Sequence, residues 1–173
     1  TEKQIHSLIA ALGFKEKGDK LFAKQYPDHK YVIEVDFDRN KINYGELIKR
    51  GDETTSNLFN NENLVVLECV NRLLEKGYEP KDLHLEKKWK LGRSSKGGKA
   101  DINVKGKDGK TLIIIECKTY GTEFKKELDR MKSNGGQLFS YFQQDKNTRY
   151  LCLYASELSG KKINMLYSLI KVE

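Results

Sequence analysis

At 173 residues the chain is long enough for one domain, or for a core with a small appendage, and can bury a sizeable interior. Its 38% apolar and 33% charged residues describe a globular, highly charged chain, and no run of about 18 apolar residues exists to span a membrane. No secretory signal is present, although the sequence starts at Thr1 and its start reads as trimmed, and a zinc site is not expected. The three histidines are scattered, and Cys69, Cys117 and Cys152 lack CxxC spacing and read as buried thiols of a reducing cytoplasm.

The formal net charge of +7 is uneven: Lys81 to Lys110 holds ten Lys or Arg against four Asp or Glu, a local net of +6. A basic excess concentrated in one segment points to a polyanionic partner more than a dispersed one does.

In chain order, Ile5, Leu8, Ile9 and Leu12 follow helical spacing and stop at Gly13. The stretches "KLFAKQY" and "KYVIEVDFD" read as strands, and "DRNK" turns into "INYG". This makes a small αβ module over residues 1–50, followed by the polar stretch Gly51 to Asn57 as the candidate linker into a core over 51–173. "NENLVVLECVNRLLEKGY" is a long helix closed by Gly77, with Pro80 beyond. "LHLEKKWKL" alternates as a half-buried strand, and the basic loop "GRSSKGGK" follows. In "ADINVKG", Ala100, Ile102 and Val104 share one face and Asp101 and Asn103 the other. The turn "KDGK" leads into the apolar strand "TLIIIECK", then come the helical segments "TEFKKELDRMKSN" and "GGQLFSYFQQ". "RYLCLYAS" is a buried strand, and the tail to Glu173 fits no single element.

Asp108-Gly109 is a strong two-residue hairpin signal of type I′. With Lys107 paired to Lys110, facing positions sum to 217, which sets Asp101 opposite Glu116, with Lys118 on the same face. Directly opposed like charges destabilise a sheet, and two close carboxylates share a proton or hold a cation. A hard ion such as Mg²⁺ takes a few carboxylate oxygens, a carbonyl and several waters. The plainer alternative is a solvated sheet face with Lys118 as a counter-ion. A loop longer by one residue would break the pairing.

Asp101, a gap, and Glu116-Cys117-Lys118 at the end of an apolar strand resemble the PD-(D/E)XK nuclease signature. "GGQLFSY" adds Gln137-x-x-x-Tyr141, similar to the QxxxY motif of RecB-like nucleases and of type I restriction motor subunits. The stretch from "ENLVVLECVNRLL" through "LYAS", about two-thirds of the chain, resembles the N-terminal nuclease module of type I and single-chain type I-like restriction-modification enzymes. Ala100 stands where the motif carries proline.

The resemblance implies a restriction-endonuclease-like α/β core: helix, three-strand meander, helix and strand in a mixed central sheet, behind the small N-terminal αβ module. It implies Mg²⁺-dependent hydrolysis of DNA phosphodiesters, with Mn²⁺ able to substitute and products carrying 5′-phosphates. The metal would be held by Asp101, Glu116, the Cys117 carbonyl and, by position on the first core helix, Glu68. A surface Glu68 paired with Arg72 four residues on explains that glutamate equally well. Lys118 would orient or help deprotonate the attacking water, and Gln137 and Tyr141 would position Lys118 or the DNA backbone.

"GRSSKGGKA" is no phosphate-binding P-loop, since Arg93 and Ala100 stand where glycine and Ser or Thr are required, so the chain carries no ATP site. Arg93, Lys96 and Lys99 are either contacts to the phosphate backbone of double-stranded DNA or simply solvated. Trp89 and the nine tyrosines read as core filling rather than stacking platforms. The resemblance further implies a cytoplasmic fragment of a longer polypeptide or complex with motor, methyltransferase and target-recognition domains. A free-standing repair or recombination nuclease of resolvase type, or an inactive nucleic-acid-binding module of the same fold, are the alternatives.

Overall fold

The structure is a computed structural model describing residues 1–89 and 98–172. Thr1 opens α1 (Glu2–Ala11) with a capping box: its hydroxyl accepts the Gln4 N–H, and the Gln4 side chain accepts from the Thr1 amine. The helix buries Ile5 and Ile9 and ends where Gly13 turns left-handed at φ +94°. An antiparallel sheet follows, with β1 (Lys15–Gly18), β2 (Leu21–Tyr26), β3 (Tyr31–Asp36) and β4 (Lys41–Asn43) in sequence order. β3 alternates, burying Tyr31, Ile33 and Val35. That face shares one hydrophobic cluster with Val66, Leu67, Val70 and Leu74 of the helix α2 (Asn61–Glu75). Lys24 fastens the two, donating to Leu12 O and, at 2.7 Å, to Asn71 Oδ1.

The stretch expected to be a linker is folded and docked. Thr55 and Ser56 are buried in a 3₁₀ turn, and Asn63 donates from α2 to the carbonyls of Thr54 and Asn57 at 2.7 and 2.9 Å. Polar composition alone signals exposure only when the polar groups lack partners inside, and here they have them. Just ahead of this stretch, β5 (Lys49–Arg50) already belongs to a second sheet.

That sheet is mixed, in the order β10-β9-β8-β7-β6-β5. β6 (Leu83–Lys88), β7 (Lys99–Lys105) and β8 (Thr111–Cys117) form the expected antiparallel meander. The return to β9 (Tyr150–Ser159), parallel to β8, runs through α3 (Thr122–Asn134) and α4 (Gly136–Gln144). Gly135 and Gly136 separate these helices at φ +89° and +56°, left-handed values that glycine adopts without penalty. The tail becomes β10 (Lys162–Lys171), antiparallel to β9 along its whole length. Ile102, Val104, Ile115 and Cys117 pack toward α2, while Ile114, Leu151 and Leu153 pack with Phe124, Leu138 and Tyr141 of α3 and α4. Ala100 joins the second group rather than Ile102 and Val104. Asn103 is buried, with its amide on the Thr111 hydroxyl at 3.2 Å, so the polar face expected for it is interior.

The β7–β8 hairpin reaches its register by an unexpected route. Gly109 N–H donates to Gly106 O, Gly106 N–H donates to Lys110 O, and Gly109 is left-handed at φ +76°. This is a three-residue loop, one residue longer than a type I′ turn, and it pairs Lys105 with Thr111. A bulge then leaves Leu112 unopposed and pairs Val104 with Ile113, Asn103 with Ile114 and Ile102 with Ile115. The extra loop residue and the bulge cancel, so the register over these three pairs equals the one expected.

Candidate active site

Beyond Ile102 and Ile115 that register brings Asp101 level with Glu116, and there the regular ladder stops. The Cys117 N–H donates instead to Asp101 Oδ2 at 2.7 Å, while the Lys118 N–H goes to Tyr154 O on β9 at 2.9 Å. The carboxylate thus occupies the place of a strand carbonyl, and both acidic side chains open into a cavity of about 370 Å³. At ~30 Å³ per water, that volume accommodates a hydrated ion. Lys118 closes the group: its Nζ lies 2.8 Å from Glu116 Oε1 and 3.8 Å from Glu62 Oε1.

Burial, reinforced by the Glu116 charge, pushes the Asp101 carboxyl well above its ordinary range. Burial likewise pushes Glu116 up to about 7, with Lys118 pulling the other way. For Lys118, burial favours the neutral amine but is outweighed by Glu116, Glu62 and Asp101, so the ammonium is held protonated. Glu116 Oε2 is buried and finds no hydrogen-bond partner among the described residues. Two crowded carboxylates with one idle oxygen are a donor set for a hard cation, and in this sense the residues fit Mg²⁺. No three His, Cys, Asp or Glu side chains come together at metal-binding distance among the described residues. A cation here would complete its shell from the backbone and water.

Gln137 and Tyr141 line the same cavity from α4. The helix is placed by Glu127 of α3, which is 1% exposed and accepts the Gln137 N–H at 3.1 Å. Tyr141 packs closely on two neighbours that pair with each other through the Trp89 N–H and the Gly98 carbonyl. Trp89 stacks on it with ring centroids 5.4 Å apart, and a Cβ at Gly98 would fall 2.7 Å from Tyr141 Cε1. Trp89 is therefore packing, as expected, but packing of a residue that faces the cavity. Lys99 lines the cavity as well, whereas Arg93 and Lys96 lie outside the described residues.

Glu68 requires a correction. It is buried away from this cavity, accepting from Arg72 at 2.7 Å and from the Tyr154 hydroxyl at 2.6 Å, and it borders a different recess with Leu12 and Ile163. The glutamate of α2 that reaches Lys118 is Glu62, six residues earlier. Six residues rotate a helix by about two-thirds of a turn beyond one full turn and advance it about 9 Å, so the two cannot serve one site. Burial raises the Glu62 carboxyl, against the pull of Lys118. Locally Glu62 is marked only as the first-turn acid behind the Asn60 cap, whose side chain accepts the Glu62 N–H at 3.0 Å, and that places it at the helix start rather than at the site. Glu86 and Thr54, which also line the cavity, carry no motif in the sequence.

A mixed sheet between helices, with paired carboxylates and a lysine at the ends of its central strands, is an α/β nuclease-like core. The model of the type I restriction enzyme R protein N terminus (HSDR_N) matches residues 61–153, from the start of α2 into β9. The chain belongs to that family, the N-terminal part of a restriction enzyme subunit. No curated protein matches it.

Proposed function

We propose that the chain is a Mg²⁺-dependent DNA endonuclease module, the cleavage part of a larger type I-like restriction-modification enzyme that works in the cytoplasm with motor, methyltransferase and target-recognition domains. The observation that carries this reading is the Asp101–Glu116 pair at the strand ends, with an idle Glu116 oxygen and Lys118 at 2.8 Å. Asp101, Glu116 and the Cys117 carbonyl would hold Mg²⁺ or Mn²⁺, which would supply Lewis-acid polarisation of the phosphodiester. Glu62, rather than Glu68, is the α2 carboxylate near enough to assist, through Lys118.

The remaining chemistry falls to the chain's own groups. The Lys118 ammonium, kept protonated by its carboxylate neighbours, donates to the attacking water and neutralises charge on the phosphoryl oxygens. It serves as a donor and counter-charge rather than as the base. Burial, reinforced by Glu116 and Asp101, pushes the Tyr141 phenol upward, so it stays a neutral donor beside the reacting phosphate. Gln137 offers its amide from one helical turn away on the same face.

The test is plasmid nicking with Mg²⁺ or Mn²⁺, comparing the wild type with Asp101→Ala and Lys118→Ala. Loss of nicking in both variants supports the reading, and unchanged nicking in both overturns it. A wild type that binds DNA in a salt-dependent way without nicking would instead be a binding module.

A further inference from the structure

Glu86 has no place in the site built so far. Its neighbours on β6 pair with β7 as Leu85 with Ile102 and Lys87 with Ala100, so Glu86 falls level with Asp101. Glu86, Asp101 and Glu116 thus occupy consecutive positions across three adjacent strands. Glu86 is 5% exposed and stands at φ +52°, a left-handed value that costs a non-glycine residue free energy unless the surroundings impose it. They do. Gly51 N–H donates to Leu85 O at 2.9 Å, and Gly51 lies so close that a Cβ there would be 1.9 Å from Glu86 O. A strained backbone, a buried charge and a side-chain-free neighbour coincide at one residue on the wall of the cavity.

What this arrangement holds is Lys99. Its ammonium lies 3.0 Å from Glu86 Oε2 as an ion pair, 3.3 Å from Asp52 Oδ2, and donates to Thr54 Oγ1 at 3.0 Å. Its side chain is 40% exposed and borders the cavity shared by Asp101 and Lys118. The pairs Glu86–Lys99 and Glu116–Lys118 therefore flank Asp101 on either side.

We infer that Glu86 is a positioning residue that aims the Lys99 ammonium at a backbone phosphate of the DNA, next to the phosphate under attack. This rests on the reading of the cavity as a DNA-cleavage site. The Glu86 carboxylate gives direction to a lysine that would otherwise swing freely, and the docked segment carrying Asp52 and Thr54 fixes it from the other side. Lys99 then holds the strand so that the neighbouring phosphodiester meets Asp101, Glu116 and Lys118 in one orientation.

The experiment combines plasmid nicking with DNA titrations at several salt concentrations on the wild type, Lys99→Met, Glu86→Gln and the double variant. Lys99→Met is expected to lower kcat/KM about ten-fold and to make the salt dependence of DNA binding shallower by about one ion. Glu86→Gln is expected to lower kcat/KM about ten-fold with the salt dependence unchanged, because the lysine charge is still present but no longer directed. The double variant is expected to be no worse than either single one, the mark of two residues acting as a unit. Glu86→Gly separates this role from folding: glycine relaxes the φ +52° backbone, so this variant should melt no lower than Glu86→Gln and still lose cleavage. Full nicking by Glu86→Gln, losses that multiply in the double variant, or an unchanged salt slope in Lys99→Met would each overturn the inference. If the wild type binds DNA without nicking and Lys99→Met still flattens the slope, the cleavage reading fails while the phosphate contact of Lys99 stands.

Discussion

The Tyr154 hydroxyl donates a 2.6 Å hydrogen bond to Glu68 Oε2, joining β9 to α2 across the interior. Arg72 supplies the counter-charge to the other oxygen at 2.7 Å. Burial, with the bond to Glu68, raises the Tyr154 phenol, so it remains a donor throughout the physiological range. The arrangement is structural. Glu68→Ala should lower stability by about 3 kcal/mol, the scale for removing one member of a buried charged network, because it strands the Tyr154 hydroxyl and half-buried Arg72. Nicking by the fraction that remains folded should stay within about two-fold of wild type. Denaturant unfolding beside nicking at low temperature checks both halves, and a stable but inactive variant would return Glu68 to the site.

The pH dependence of stability should carry the signature of Glu116. Its carboxyl, pushed up to about 7 by burial, binds a proton more tightly folded than unfolded, where it titrates near 4.5. The favourable contribution of this group is therefore complete below pH 4.5 and is lost as the pH rises through about 7. Glu116→Gln cannot ionise. In chelator its melting temperature should exceed that of the wild type at pH 8, with the gap closing toward pH 5. Adding Mg²⁺ should raise the wild-type melting temperature more at pH 8 than at pH 5 and leave Glu116→Gln nearly unmoved. Melting curves across pH with and without metal decide this, and parallel curves for the two proteins would refute it.

Gly98 is predicted to be required for its lack of a side chain. Gly98→Val places carbon 2.7 Å from Tyr141 Cε1, so the ring must leave its slot against Trp89. Trp89 is the single tryptophan of the chain, and its emission reports the stack directly. Cleavage should fall about ten-fold with a changed Trp89 emission, whereas Tyr141→Phe should keep the stack and its emission. Unchanged fluorescence in Gly98→Val would show that this packing does not exist in solution.

Much of this architecture is written locally in the sequence. Gly77 ends α2 as expected, at φ +99°, because a left-handed residue after a helix reads the same in one dimension as in three. Gly135-Gly136 marks the break between α3 and α4 in the same way. The Asp108-Gly109 turn was legible as a turn, but its type was not. Gly109 serves as the left-handed residue after a type I turn, and only the bulge at Leu112 restores the register. The Glu62 and Glu68 assignment failed for a related reason. Both are acids on one amphipathic helix, and which one meets the site depends on how α2 lies across the sheet, a long-range fact without a local signal. Glu86 was illegible altogether: a charged residue within an alternating strand reads as solvent-facing until its backbone torsion and the approach of Gly51 are known.

Cys117 shows two ends of one residue answering to different demands. Its amide holds Asp101, while its thiol is fully buried among Ile102, Val104 and Ile115 on the side of the sheet that faces α2. The residue between the glutamate and the lysine is therefore chosen by volume. Valine or alanine could occupy the position with the amide unchanged, and thiol-directed reagents that leave the fold intact should pass the protein by, even though a cysteine sits at the centre of its motif.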